Sequence, residues 1–532
     1  MIKKFLFMFL VITGFCTYAQ VWQWRVKVDT YISNETNDYP QAFLWIPENC
    51  KQVKGVVFTQ HNMIEEGVLE HQYFRKKMTE IGFAEIWVTP GFAITFDVKK
   101  NEDKIFEEIM KSLAEVSGYQ ELLYAPIVPM GHSAYASFPW NFAAFTPDRT
   151  LALVSVHGDA PQTNLTGSGK PNPDWEDRNI NGIPGLFVMG EYEWWEERMI
   201  PGFEYQQKHP KSVITWFADA GHGHFDYSDA LVRYIANYIV KVAVHRLPKK
   251  SFLNNPVTLK QVVPSSGWLM DRWRQDSIPK YTTTKYKKYQ GDRYTASWVF
   301  DKKMAQATEA YYAKARGKIN QYIGFKQGGD VLTPHKTHAS FNLDFKPLKD
   351  GISFNLNAFY ADSSRVKSVK NHAKTSLLID RICGPVKKVN DTTFKIDFYR
   401  MGFKNLKRSN DVWLLAHNKG DDKYKSVVQQ LDMHFPLVNK SGKEQIVTFN
   451  HIENIKEGIT TLALNATSNV GLKVSYYVKE GPVVLKEDVL YFRKIPSRTK
   501  FPVKVTVVAW QYGIANKVQS AKPIEQSFYI IK

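Results

Sequence analysis

The sequence predicts an α/β fold, a mostly parallel sheet with flanking helices, followed by β-sandwich domains. Three observations carry this. Residues 21 to 248 alternate short apolar runs with amphipathic stretches, the pattern of βα units. After Pro248 that texture gives way to a polar, basic segment holding a single helix. From about Gln321 onward, apolar and polar residues alternate in short runs, as they do in half-buried strands.

The elements follow in chain order. Lys3 and Lys4 precede the apolar run Phe5 to Phe15, and Thr17-Tyr18-Ala19 offers small residues for a signal peptidase. Residues 1–19 therefore read as a Sec signal peptide, with secretion or periplasmic release expected; Phe15 before Cys16 speaks against a lipoprotein. No later segment approaches twenty apolar residues, so no membrane span is expected in the mature chain. Strands are expected at Ala42–Ile46, Gly55–Thr59, Ala84–Thr89, Ile127–Met130, Leu151–Val156, Leu186–Met189 and Val213–Ala218. Helices are expected at Glu70–Ile81, Glu102–Val116, Ser133–Phe145 and Ser228–Val244, completing an α/β domain over residues 20–248. Residues 249–320, with the run Lys280 to Lys288, read as a linker or surface wrap with one helix capped by Asp301. A β-rich domain over 321–444 takes its strands from His338–Phe345, Ile352–Tyr360, Thr393–Tyr399 and Val412–Ala416; a last β block covers 445–532.

Charge divides along the same boundary. Residues 21–248 hold 20 Lys+Arg against 29 Asp+Glu, a net of −9, whereas residues 249–532 hold 48 against 23, a net of +25. Such asymmetry points to different partners for the two halves, and for an exported chain without a nucleic-acid motif an anionic polysaccharide or an anionic envelope surface is the expected one. The 14% aromatic content agrees with sugar binding and equally with packing. Cys50 and Cys383, the two cysteines beyond the signal segment, lie far apart, and no Cys/His ligand spacing supports a metal site or cofactor.

The densest chemical signal is Met130-Gly131-His132-Ser133-Ala134, between an expected strand and an expected helix. A serine on such a turn exposes its hydroxyl beside backbone N–H groups. It needs a base, and the base needs a carboxylate to orient it. Both occur downstream, in Gly190-Glu191-Tyr192-Glu193 after one strand and Ala218-Asp219-Ala220-Gly221-His222-Gly223-His224 after another.

By these three motifs, residues 42–245 resemble the α/β-hydrolase superfamily, and the first half is similar to secreted carbohydrate-esterase-like proteins of Bacteroidetes-type bacteria. The resemblance implies Ser133 as nucleophile, Glu193 as acid and His222 as base, with His224 and Glu191 as alternatives. It implies an oxyanion hole from the N–H groups of Met63, in Gln60-His61-Asn62-Met63, and of Ala134. Tyr135 stands where the family has a small residue; it is expected to line the pocket, as are Trp194 and Trp195. The implied activity is hydrolysis of acetyl, methyl or aromatic acyl esters on a polysaccharide through an acyl-enzyme. The alternatives are a lipase or peptidase, or a non-catalytic binder whose elbow Tyr135 has disabled. The stretches Leu464–Leu472 and Val505–Gly513 resemble a bacterial Ig-like module over roughly 445–532.

Overall fold

An eight-stranded sheet organises the first half of the chain: β1 (Trp24–Lys27), β2 (Gln41–Trp45), β3 (Gly55–Gln60), β4 (Phe83–Thr89), β5 (Ile127–His132), β6 (Leu153–Val156), β7 (Pro184–Gly190) and β8 (Val213–Asp219). This computed structural model describes residues 21–163, 171–193, 196–249, 255–337 and 339–532; the expected signal segment and Trp194-Trp195 lie outside them. The strand order is 1-2-4-3-5-6-7-8, with β2 antiparallel to both its neighbours and the other pairs parallel. That is the α/β-hydrolase arrangement. Strands β3, β4, β5, β7 and β8 are buried at every position, because helices cover both faces of a parallel sheet. Edge strand β1 was not expected, since WRVK is too short to show alternation.

Helices α1 (Glu65–Glu70), α2 (Gln72–Ile81), α3 (Glu102–Ser117), α4 (Phe138–Phe145), α5 (Ile200–Lys208) and α6 (Asp229–Arg246) pack on the sheet. The helix expected at Glu70–Ile81 is α2, which begins at Gln72 because His71 is extended and its ring caps the helix by accepting from Tyr73 N; the short α1 before it was not expected. The helix expected from Ser133 begins only at Phe138, after a separate 3-10 turn. The remaining helix, α7 (Lys302–Ala313), is capped by Asp301, whose Oδ1 accepts from Met304 N at 2.9 Å.

Residues 255–320 are part of the main core. Trp298, Val299, Phe300 and Met304 pack in the same cluster as β8 residues, and Thr215 Oγ1 donates to the Trp298 carbonyl at 2.6 Å. Beyond them lie small, mostly antiparallel sheets around two further cores. The first of these cores spans Ile323 to Phe435 and also takes in Tyr477, Val508, Trp510 and Tyr512, so the two β units pack into one another. His338 lies outside the described residues; in the strand expected from it, Asn342 forms only a lone bridge to Asp432. Cys50 and Cys383 are buried and free. Among the described residues, no helix is long and apolar enough to cross a membrane.

The charge asymmetry has an internal use. Lys425 Nζ meets Glu191 at 2.7 Å with both side chains buried, and Arg381 and Arg400 both reach Glu66. Arg408 grips Glu35, while Arg493 and Arg498 meet Glu48 and Glu121. Cations of the basic half thus dock onto acids of the acidic half.

Candidate functional site

Ser133 sits directly after β5, at φ +54°, on the 3-10 turn Ser133–Tyr135 that leads into α4. A non-glycine residue there stores strain, and such strain persists where the surroundings over-determine it. They do so here. A Cβ on Gly131 would lie 2.0 Å from the Tyr135 carbonyl oxygen, so only glycine lets the chain fold back that tightly. Ala136 fits under Gly158, where a Cβ would lie 2.1 Å from that of Ala136. Tyr135, expected in the pocket, instead turns its ring under Gly91 and is 8% exposed. The elbow therefore accommodates the bulky residue by packing its ring against the loop after β4.

Ser133 Oγ is 2.7 Å from His224 Nε2, and His224 Nδ1 is 2.5 Å from Glu193 Oε2. Glu193 lies on the turn after β7, where Gly190 N and Arg198 Nη1 each donate to it at 3.3 Å. Burial opposes its ionisation, but the His224 hydrogen bond and the charges of His157, His224 and Arg198 hold its carboxyl well below the usual range. The backbone of His224 is fixed as firmly as its ring: His132 Nε2 and His157 Nδ1 both stand 2.7 Å from its carbonyl oxygen. A carbonyl only accepts, so each imidazole must carry its proton on that nitrogen. His132 Nδ1 is then free to accept from Asn62 Nδ2 at 3.2 Å.

His222, the expected base, faces elsewhere. Its Nδ1 is 2.5 Å from Asp226 Oδ2, and Asp226 Oδ1 also accepts from Gly223 N at 2.8 Å. Burial would lower its pKa, yet Asp219 and Asp226 push it up to about 9. A protonated imidazole has no lone pair for a serine proton, so position and charge both remove His222 from that role. Glu191, the alternative acid, accepts from Gly221 N at 2.8 Å and from Lys425. Asp219, His222 and Asp226 have donor atoms close enough for a metal, as do His157, Glu193 and His224. In both groups a 2.5 Å hydrogen bond already joins two of these side chains.

The loop after β3 also departs from expectation. Met63 N–H donates to Glu65 Oε2 at 2.9 Å and Asn62 N–H at 3.1 Å, while Glu65 Oε1 accepts from His132 N at 3.0 Å. Met63 therefore directs its N–H at a carboxylate rather than toward the serine. Burial pushes Glu65 up to about 7 despite the backbone amides, those of Met63, Asn62 and His132 among them, that favour its charged form. Ala134 N–H has no hydrogen-bond partner among the described residues and stands one residue past the nucleophile.

A cavity of about 370 Å³ opens over Ser133, His224 and Phe225. Its far wall comes from the β-rich domain, through Tyr399, Lys407, Arg408, Asp411 and Trp413. The rings of Phe225 and Trp413 lie 5.2 Å apart across the domain boundary. Arg408 Nη1 donates to the Asn62 carbonyl at 2.6 Å, tying this wall to the loop after β3. Sequence reading missed these residues, and also His157, His132, Arg198 and Glu65. Only His157 carried a local signal, its place at the rim end of β6.

No family model matches this chain, and no curated protein matches its sequence. Solved structures that it resembles include an S-formylglutathione hydrolase from Staphylococcus aureus, at 14% identity over 41% of this chain and 98% of that one, with a TM-score of 0.30. Est1E from Butyrivibrio proteoclasticus aligns at 14% identity over 41% and 97%, with a TM-score of 0.28. A ferulic acid esterase aligns at 10% identity over 42% and 99%, with a TM-score of 0.29.

Proposed function

We propose that this chain is a serine esterase that works through an acyl-enzyme. The observation that carries the reading is the continuous relay Ser133–His224–Glu193, with hydrogen bonds of 2.7 and 2.5 Å. Ser133 Oγ forms the bond to the ester carbonyl carbon as His224 Nε2 takes its proton. His224 then returns that proton to the departing alcohol oxygen as the ester C–O bond breaks. Water, deprotonated by the same nitrogen, releases the acid and restores Ser133. Glu193 keeps the imidazole in its Nδ1–H form and stabilises the cation that forms at each proton transfer. The Ala134 N–H, beside the serine and without a hydrogen-bond partner among the described residues, receives the developing oxyanion.

The substrate class we propose is an ester decoration (acetyl, methyl or aromatic acyl) on a polysaccharide met outside the cytoplasm. The Phe225–Trp413 pair, beside His224 in the cavity, gives a sugar or aromatic ring a face to rest on. The packing of the Tyr135 ring under Gly91 supports the catalytic reading over a disabled binder.

The test is hydrolysis of small chromogenic esters and of acetylated and methylated pectins and xylans, with Ser133→Ala in parallel. Turnover that the variant loses supports the reading. Turnover that survives in Ser133→Ala refutes it.

A further inference from the structure

We propose that the cavity selects esters whose substrate also carries a carboxylate, held by Lys407 and Arg408 from the β-rich domain. This deepens the esterase reading and rests on it. Both cations line the same cavity as Ser133 and His224. Arg408 is nearly buried and pinned: its Nε donates to both Glu35 oxygens at 3.0 and 3.1 Å, and its Nη1 to the Asn62 carbonyl. Those bonds leave Nη2 without a protein acceptor among the described residues and fix the plane in which it can donate. A guanidinium held that way is suited to a planar oxyanion.

Lys407 is the complementary part. Its side chain is 68% exposed, and its one ion pair among the described residues, to Glu35, is 3.5 Å long. Glu35 also accepts from Asn405 Nδ2 at 2.9 Å, and with Arg408 and Lys407 both paired to this one carboxylate a positive charge is left over. Asp411 lines the same cavity, its Oδ2 accepting from Trp413 Nε1 at 3.0 Å and its Oδ1 facing His434 Nε2 at 3.4 Å, and burial raises its pKa, which weakens the charge it sets against Arg408. The carboxylate belongs either to the acyl group, as in a monoester of a dicarboxylic acid, or to a uronate sugar on the alcohol side.

Two matched pairs separate these sources in the full chain: 4-nitrophenyl butyrate against mono-4-nitrophenyl succinate, and an acetylated methyl glucoside against the acetylated methyl glucuronide. The charged member of at least one pair should show the higher kcat/KM by about tenfold or more, the scale of one charge-assisted hydrogen bond. Lys407→Gln should shrink that ratio by a similar factor, and raised salt should shrink it too. Equal kcat/KM within both pairs, or a preference that Lys407→Gln retains, overturns the proposal. If no ester is turned over, the esterase reading fails, and calorimetry on Ser133→Ala decides the anion site alone. Binding of glucuronate but not glucose, weakened by Lys407→Gln, upholds it, and absent or equal binding ends it.

Discussion

Replacing His222 and His224 one at a time should separate activity from stability. His224→Ala removes the atom 2.7 Å from Ser133 Oγ and leaves the backbone in place, since His132 and His157 bind the carbonyl of residue 224, not its ring. Loss of the general base should lower kcat by about 10⁴-fold, the upper range for such groups. The melting temperature should change little. His222→Ala does the reverse. It leaves the relay intact but strips the cation from between Asp219 and Asp226, which are 0% and 1% exposed. Two facing buried carboxylates without their counter-ion should cost about 3 kcal/mol, the lower end for breaking a buried ion pair. The assay pairs initial rates on a chromogenic ester with thermal unfolding of each variant. If His222→Ala stays folded and loses turnover while His224→Ala keeps it, the assignment of the base is wrong.

Further outcomes follow from the same network. The His222 imidazole is raised from its ordinary 6.5 to about 9, so the stability it contributes is full below about 6.5 and is lost as pH climbs through about 9. The gap in melting temperature between wild type and His222→Ala should therefore narrow from pH 6 to pH 10, and a constant gap would contradict the pairing. Lys425→Met strands buried Glu191 and should destabilise by about 3–5 kcal/mol, whereas Lys425→Met with Glu191→Leu should recover much of it; chemical denaturation of the two variants checks this. Gly131→Ala drives a Cβ into the Tyr135 carbonyl and should abolish turnover with partial loss of structure, read by activity and circular dichroism. Glu65→Gln keeps one acceptor oxygen where three amides now bind, so it should release either the Asn62–Met63 turn or His132 N. A shift in kcat with little change in KM would mark the loop after β3 as part of oxyanion binding.

What the sequence determined by itself was whatever depends on local order. Apolar runs such as GVVFTQ and VITWFAD specify buried parallel strands, because a strand covered on both faces must be apolar throughout. Gly131 and Ser133 between a strand and a helix specify the elbow, and the order Ser, Glu, His along the chain follows the order of the strands that carry them. The sequence could not separate His222 from His224. Both stand on one tight turn a residue apart, and which ring reaches Ser133 depends on where Asp226 and Glu193 come to lie in space. Nor could it show that Glu65 would claim the Met63 N–H, since nothing in their spacing says which way the amide points. The far wall of the cavity lies hundreds of residues from Ser133, and only docking of the two halves brings Arg408 and Trp413 over the serine. That docking rests on charge pairs such as the buried Lys425–Glu191 and the half-buried Arg408–Glu35, whose partners composition can count but only the fold can match.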